Sequence, residues 1–190
     1  MNQIFKPYLR RYVFVFFDDI LVYSKTWEDH LEHLEIILGV LLDNSFYIKL
    51  TKCAFGQREI EYLGHLNSHE GVKVDSRKVE AMMTWPKLKT IIELRGFLGL
   101  TGYYRKFVKD NASIARPLTN MLKKNNFVRS EEGEKAFEAL KKATTTTPIL
   151  AMPNFEKTFE LYMDASNVRV GAVFIQEGRP LTFISKALGV

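Results

Sequence analysis

Cysteine is nearly absent from this sequence, and long apolar runs are missing. The single cysteine, Cys53, excludes an internal disulfide framework and a zinc cluster built from cysteines. No apolar stretch approaches the roughly 20 residues that a membrane-spanning helix needs, and the N-terminal segment lacks the architecture of a signal peptide. These absences predict a protein of the reducing intracellular environment, with no membrane partner.

The composition is that of a folded chain with a modest basic bias. Hydrophobic residues make up 46% and aromatic residues 13% of the 190 residues, enough to pack one domain or two small ones. The 27 lysines and arginines outnumber the 22 aspartates and glutamates, which leaves a formal charge of +5. Such an excess suits a polyanionic partner without establishing one.

The first part of the chain reads as a hairpin followed by a helix. Residues 12–17 and 20–23 are apolar runs of strand length, and their lack of alternation predicts burial on both faces. A leucine-rich helix follows, with Thr26 and Asp29 spaced as its capping box. The short runs FYIKL and EYLGHLN are further strand candidates.

From Asp75 onward the pattern changes to helices and then returns to strands. Asp75 is placed to cap one helix, and Thr90 with Glu93 forms the capping box of a second. A short helix is predicted around IARPLTNMLKK and a longer one over residues 131–143. Beyond Phe159, the runs FELYMDAS, VGAVFIQ and PLTFISKAL predict three strands.

An acidic pair, Asp18 and Asp19, separates the two apolar runs of the first hairpin. Tight hairpin turns favour glycine because their backbone is left-handed, and this pair contains none. Adjacent carboxylates beside buried strands repel each other and resist desolvation unless a cation is close. A hard divalent cation such as Mg²⁺ would satisfy both charges. The alternative is a solvated turn without a bound ion, since aspartate is common in turns.

Several separate motifs give the chain a family resemblance. FFDDILVYS resembles the polymerase hairpin of reverse transcriptases, in which an aromatic residue, any residue and two aspartates occupy the tip. The stretch from TWEDHLEHL to LTNMLKK is similar to the segment that follows this hairpin in the Pol polyproteins of gypsy-type LTR retrotransposons. The stretch from AFEALKK to FISKAL is similar to the entry into RNase H in the same polyproteins.

The resemblance implies an α+β fold in three parts. Residues 1–74 would form the C-terminal half of a reverse transcriptase palm with a primer-grip-like hairpin, residues 75–125 the helical thumb and connection, and residues 126–190 the first β-strands of an RNase H-like α/β domain. The implied activity is RNA-directed DNA polymerase with an associated ribonuclease H. The implied partners are an RNA template, a DNA primer, RNA–DNA hybrid and deoxynucleoside triphosphates. The implied location is the cytoplasm or a virus-like particle, with the nucleus as an alternative, and the oligomeric state stays open.

The same resemblance assigns catalytic and metal-binding roles. Asp18 takes the place of a Mg²⁺ ligand and Asp19 that of a second carboxylate in a two-metal polymerase site. Phe16, a candidate for contact with the primer or nucleic acid, stands where the family usually has tyrosine, which keeps the ring and loses the hydroxyl. Asp164, in YMDAS, matches the first metal-binding aspartate of RNase H.

A second hairpin carries the predicted nucleic-acid contacts. EYLGHLNSHEGV resembles the hairpin that grips the primer strand near its end, so Leu63, Gly64 and His65 are candidates for that contact. Glycine at position 64 allows a backbone to approach a phosphate closely. An ordinary hairpin, turning at Glu70 and Gly71, is the alternative interpretation.

The helical middle is rich in cations interleaved with aromatic residues. Such an excess suits a thumb lying along duplex phosphates, whereas a solvated helix face is the alternative. No individual lysine is assigned a phosphate. The cations are Arg77, Lys78, Lys87, Lys89, Arg95, Arg105, Lys106, Lys109, Arg116, Lys123 and Lys124.

The chain also departs from the family pattern. The polymerase site of the family needs a further upstream aspartate, and RNase H needs further acidic residues beyond Asp164; neither is present in these 190 residues. Arg169, Arg129 and Leu88 stand where the family usually has glycine, tryptophan and proline. The expectation is a partial polymerase that is inactive in isolation, because an incomplete metal cage costs orders of magnitude in rate. A non-catalytic nucleic-acid-binding remnant is the alternative.

Overall fold

A computed structural model describes residues 1–123, 127 and 130–188. The chain forms two compact units, residues 1–62 and residues 63–190. The three-part division at 74/75 and 125/126 stays a prediction, and positions 125 and 126 lie outside the described residues, as do Lys124 and Arg129. No helix in the described ranges is long and apolar enough to cross a bilayer.

The first unit consists of a hairpin, one long helix and a final strand. Strands β1 (Val13–Phe16) and β2 (Asp19–Val22) pair antiparallel, and helix α1 (Trp27–Asp43) follows. A 3₁₀ turn at Leu50–Lys52 leads to strand β3 (Glu59–Tyr62). The core of this unit brings together four fully or nearly fully buried side chains, each contributing about 1.5–3 kcal/mol: Phe5, Val13, Ile37 and Leu41.

Local signals predicted α1 well and its surroundings less well. The Thr26 hydroxyl accepts the Asp29 N–H at 3.1 Å, which confirms the predicted cap. The predicted burial of the hairpin on both faces is wrong, because Phe16 is 50% and Phe17 79% exposed. Residues 46–50 do not form the predicted strand; Tyr47 is 96% exposed, and an apolar run becomes a strand only where another strand pairs with it.

The second unit begins with a hairpin, continues with four helices and ends in a three-stranded antiparallel sheet, β6-β7-β8. A 3₁₀ turn at Arg105–Phe107 separates the second and third of these helices. The elements are β4 (His65–Ser68), β5 (Gly71–Val74), α2 (Ser76–Met83), α3 (Ile91–Tyr103), α4 (Asn111–Met121), α5 (Glu131–Thr145), β6 (Glu160–Ser166), β7 (Arg169–Gln176) and β8 (Arg179–Ala187).

The predicted caps and strands of this unit are confirmed. The Asp75 carboxylate accepts the Arg77 N–H at 2.9 Å at the start of α2, and the Thr90 hydroxyl accepts the Glu93 N–H at 3.2 Å at the start of α3. The three strands predicted beyond Phe159 are present. Helix α4 begins earlier than the pattern indicated, because its first turn carries no apolar periodicity to mark it.

Two apolar clusters hold the second unit together. One joins α3, α4 and α5 through side chains that include Phe97, Leu118 and Phe137. The other consists of Val74, Met82, Tyr104, Phe107 and Leu150. It therefore joins the β4–β5 hairpin to the C-terminal end of α3, where the candidate site lies.

The segment before β6 also reaches the hairpin through its backbone. Val72 and Leu150 exchange two N–H···O hydrogen bonds of 2.8 and 2.9 Å. Gly71 makes this approach possible, since a Cβ atom there would lie 2.1 Å from the Leu150 carbonyl oxygen. The hairpin is thereby held by backbone hydrogen bonds as well as by the apolar cluster.

Candidate nucleic-acid interface and its carboxylate turns

The first candidate site is the turn between β1 and β2. Phe16 pairs with Asp19, so the two loop residues are Phe17 and Asp18. Asp19 is the first residue of β2 and not a turn residue as predicted. The left-handed position falls on Phe17, at φ 52°, a conformation that costs a bulky residue energy and exposes its ring.

The two carboxylates of this turn face solvent. Asp18 and Asp19 are both exposed, and within the described residues neither forms an ion pair. The rings of Phe16 and Phe17 meet edge to face, 4.7 Å between centroids. Two negatively charged side chains, Asp18 and Asp19, therefore lie next to the paired rings of Phe16 and Phe17 in the chain.

Tyr62 is a neighbour of this turn that the sequence did not indicate. Its hydroxyl donates to the Asp19 carbonyl oxygen at 3.5 Å, a long bond. Burial, followed by the charge of Asp19, raises the pKa of the Tyr62 phenol. The contact joins residues 43 positions apart, so no local pattern could have predicted it.

Asp18 and Asp19 fit one side of a hard-cation site. Carboxylate oxygens are the ligands that Mg²⁺ prefers, and both groups are accessible. Across the described ranges, however, no group of three or more histidine, cysteine, aspartate or glutamate side chains comes close enough to hold a metal ion. The pair thus needs at least one ligand from outside these residues.

Asp164, the predicted RNase H metal ligand, has an arginine beside it. The Arg169 guanidinium lies between two carboxylates, with Nη2 3.6 Å from Asp164 Oδ2 and Nη1 3.2 Å from Asp110 Oδ1. A metal ion at Asp164 would meet this positive charge directly. Glycine, the residue that the family usually has at position 169, would leave the carboxylate open.

The second candidate site is the turn formed by Leu63 and Gly64. Both residues have left-handed backbones, at φ 51° and 67°. The Tyr103 hydroxyl donates to the Leu63 carbonyl oxygen at 2.7 Å, and the Tyr104 hydroxyl donates to the Gly64 carbonyl oxygen at 2.9 Å. Two consecutive carbonyl groups are thus held by two consecutive tyrosines at the end of α3.

His65 is the buried anchor of this turn. Its ring is 8% exposed and lies within 5.4–5.5 Å, centroid to centroid, of the rings of Tyr103, Tyr104 and Phe107. Burial, with a smaller contribution from the Lys106 charge, lowers the His65 pKa to about 4. The His65 side chain is therefore nearly buried in this structure, and the nucleic-acid contact of Leu63, Gly64 and His65 stays a prediction.

Several cations of the helical middle interact with other side chains of this chain. Arg77 pairs with Asp75 at 2.7 Å, and Lys87 pairs with Glu134 at 2.9 Å. Lys106 lies half-buried beside Phe107, and this burial lowers its pKa. The charge of Lys106 also acts on His65, the residue that follows the second turn.

Two known protein families match the chain, one at its beginning and one at its end. The pattern of the family described as reverse transcriptase (RNA-dependent DNA polymerase) matches residues 1–66. The pattern described as an RNase H-like domain found in reverse transcriptase matches residues 130–189. These families use divalent metal ions. The chain therefore carries part of a reverse transcriptase domain followed by an RNase H-like domain of the kind found in reverse transcriptases.

Individual relatives specify the family further. The chain is 41% identical over 190 residues to the Pol polyprotein of transposon 297 from Drosophila melanogaster, covering 99% of this chain and 18% of that protein. It is 35% identical over 201 residues to the Pol polyprotein of transposon gypsy from the same organism, covering 99% and 19%. An uncharacterised mitochondrial protein of Arabidopsis thaliana is 51% identical over 131 residues, covering 68% of this chain and 83% of that protein.

The chain belongs to the Pol polyprotein family of gypsy-type LTR retrotransposons, as its reverse transcriptase/RNase H region. It spans less than a fifth of the length of the two Drosophila polyproteins.

Solved structures show the same fold. The foamy viral protease-reverse transcriptase in complex with RNA/DNA hybrid matches with a TM-score of 0.88 at 23% identity, covering 99% of this chain and 26% of that chain. The same enzyme in complex with dsDNA matches with a TM-score of 0.85 at 23% identity, covering 99% and 40%.

Proposed function

We propose that this chain is the part of a retrotransposon reverse transcriptase that presents two polymerase carboxylates and binds RNA–DNA hybrid. The observation that carries the proposal is the match to Pol polyproteins along 99% of the chain. Hybrid binding is supported by the foamy viral enzyme, whose structures hold RNA/DNA hybrid and dsDNA. The family activity is RNA-directed DNA polymerase, with ribonuclease H attached.

The proposed roles come from the family resemblance, and the exposure of the carboxylates supports them. Asp18 and Asp19 are the exposed carboxylates that would ligate Mg²⁺ once a further ligand joins them. The metal would neutralise charge on a nucleotide's phosphates and activate the primer hydroxyl. Leu63 and Gly64 offer backbone to the primer strand, and Phe16 lies at the base of the carboxylate turn.

A second function, non-catalytic hybrid binding, is favoured for the isolated chain. The described residues contain no third ligand for a metal at Asp18 and Asp19, and Arg169 lies against Asp164. Neither feature affects phosphate binding. The chain alone is therefore expected to bind hybrid and to incorporate no nucleotide.

Fluorescence anisotropy with a labelled RNA–DNA hybrid tests the binding part of the proposal. The 190-residue chain is expected to bind, and log Kd is expected to rise linearly with log salt concentration, because phosphate contacts release counterions. Absence of binding at low salt would refute the proposed function. Primer extension on an RNA template with Mg²⁺ runs in parallel, and robust extension by this chain would refute its inactivity.

A chimera tests the carboxylates. The upstream segment of the transposon 297 polyprotein, placed ahead of Met1, is expected to restore incorporation. Asp18→Asn in that chimera should abolish it, because an amide carries no charge for the metal. Asp43→Asn, at the exposed C-terminal end of α1, is the matched control and should leave the rate unchanged. Equal rates for the two variants would contradict the assignment of Asp18.

A further inference from the structure

We propose that Tyr103 and Tyr104 are positioning residues, which hold the Leu63–Gly64 turn in the conformation that meets the primer strand. The inference rests on the proposed function and adds two residues to it. In this proposal, the two tyrosines at the end of α3 set the conformation of the turn through hydrogen bonds to its backbone carbonyl groups.

The turn has a backbone that is unusual for its first residue. Leu63 adopts φ 51°, which an L-residue with a bulky side chain avoids, and Gly64 follows at φ 67°. Without external contacts, leucine at this position would favour other conformations. The Glu177–Gly178 turn has similar φ values, 51° and 74°, so the hairpin itself can adopt this backbone, and what the tyrosines add is the orientation of its two peptide groups.

Each tyrosine fixes one peptide plane. Tyr103 Oη lies 2.7 Å from the Leu63 carbonyl oxygen, and Tyr104 Oη lies 2.9 Å from the Gly64 carbonyl oxygen. A trans peptide is planar, with its C=O and N–H pointing in opposite directions. With the Leu63 carbonyl group directed at Tyr103, the Gly64 N–H points away from that ring. This geometry presents a backbone donor on the outer side of the turn.

The anchoring side is rigid. Tyr104 is 2% exposed in the core cluster that includes Phe107, and His65 stacks on Tyr103 at 5.4 Å with 13° between the ring planes. Tyr103 is the last residue of α3 and Tyr104 its cap. A shift of the helix end would therefore move the turn with it, which couples the helical thumb to the primer contact.

Phenylalanine substitutions isolate the hydrogen bonds. Tyr103→Phe and Tyr104→Phe keep the rings and remove only the donors. Tyr47→Phe is the matched control, because Tyr47 is 96% exposed. Circular dichroism melting checks that each variant folds. Tyr103 is half-exposed, so its variant keeps the test available even if the Tyr104 variant is unstable.

The decisive readout is a methylphosphonate scan of the primer strand. One uncharged linkage should weaken binding of the wild-type chain about fivefold or more, because it removes the phosphate that the turn contacts. Tyr103→Phe and Tyr104→Phe should each weaken binding of the unmodified hybrid about fivefold and lose sensitivity to that linkage. A general structural role would leave the two effects additive.

A second readout does not depend on nucleic acid. The ¹⁵N order parameter of Gly64 should be that of rigid backbone, about 0.85, in the wild-type chain and fall below about 0.6 in the double variant. Unchanged order and additive binding effects would overturn the positioning role while hybrid binding persists. A wild-type chain that binds no hybrid would instead refute the proposed function, and the role of the tyrosines in primer contact with it.

Discussion

The turn at Phe17 and Asp18 and the turn at Leu63 and Gly64 share a backbone feature and differ in everything around it. Each begins with a bulky residue at a left-handed φ, 52° for Phe17 and 51° for Leu63. The Phe17 ring is 79% exposed. The carbonyl groups of the other turn accept hydrogen bonds from two tyrosines.

The difference matches the chemistry proposed for each turn. A carboxylate that receives a metal ion must be accessible, and a loose aromatic turn leaves it so. A backbone that contacts a phosphate must be placed accurately, which requires a rigid support. The Glu177–Gly178 turn has the same φ values, 51° and 74°, in open space, so this backbone does not itself require tyrosines.

The largest expected effect is the difference between two variants. One truncates Tyr104, which supports the second turn, and the other truncates Phe17, the exposed ring of the first turn. Tyr104→Ala should lower the free energy of unfolding of the second unit by about 3–5 kcal/mol, because it empties a fully buried site. Phe17→Ala should change that of the first unit by no more than about 0.5 kcal/mol. Equal losses would break the comparison.

Urea unfolding followed by tryptophan fluorescence measures both changes. The chain has two tryptophans, Trp27 in the first unit and Trp85 in the second. A Trp27→Phe background therefore reports on the second unit, and a Trp85→Phe background reports on the first.

Acid should weaken the supported turn through His65. Its pKa is lowered from 6.5 to about 4 in the folded chain, so the unfolded chain takes up the proton first as the pH falls. The stabilising contribution is complete above pH 6.5 and is lost between pH 6.5 and 4, by roughly 1–3 kcal/mol after solvent screening.

Urea titrations across this pH range check the sign. His65→Gln should flatten the pH dependence between 6.5 and 4, since glutamine does not titrate. His69→Gln is the matched control on the exposed end of the same hairpin and should keep the wild-type slope. A wild-type slope in the His65 variant would show that its burial does not control the acid response.

The turn between β6 and β7 allows the metal affinity of a third carboxylate, Asp164, to be compared. Arg169 is the first residue of β7 and lies on Asp164, whereas Asp19, in the equivalent position of β2, lies beside an acidic neighbour. Arg169→Gly should raise the Mn²⁺ affinity at Asp164 about thirtyfold, because a unit charge about 4 Å away repels a divalent ion by about 2 kcal/mol even in water.

Broadening of the Asp164 amide signal during a Mn²⁺ titration measures this change. Arg169→Lys keeps the positive charge and should bind Mn²⁺ as weakly as the wild-type chain. Equal broadening in all three proteins would show that the guanidinium does not protect Asp164.

The smallest expected effect separates two glycines of the same conformation. Gly64→Ala should destabilise by about 0.5–1 kcal/mol more than Gly178→Ala. Both pay the left-handed strain, but a Cβ at position 64 would lie 3.2 Å from Tyr104 Oη, whereas nothing lies within 4 Å at position 178. Thermal unfolding of the two variants measures the difference, and equal losses would mean that Tyr104 yields without cost.

Features set by neighbouring residues were predictable. The caps at Thr26, Asp75 and Thr90 form as their spacing indicates, and the three C-terminal strands follow their apolar pattern. The predictions failed where partners are distant. The run at residues 46–50 has strand composition but forms no strand. Asp19 was predicted in the turn but belongs to β2, because the pairing register decides which residues form a loop.

The sequence by itself predicted the helix caps, the three C-terminal strands, the acidic pair of the first hairpin and the family, because each depends on residue type and local spacing. The run EYLGHLN, predicted as one strand, is divided into β3 and β4 by the Leu63–Gly64 turn. Only the tertiary structure decided that His65 is buried, that Arg169 lies against Asp164 and that two tyrosines hold the second turn. The tyrosine bonds each span 40 residues. Contacts at that separation depend on how helices and strands pack, which no short stretch of sequence contains.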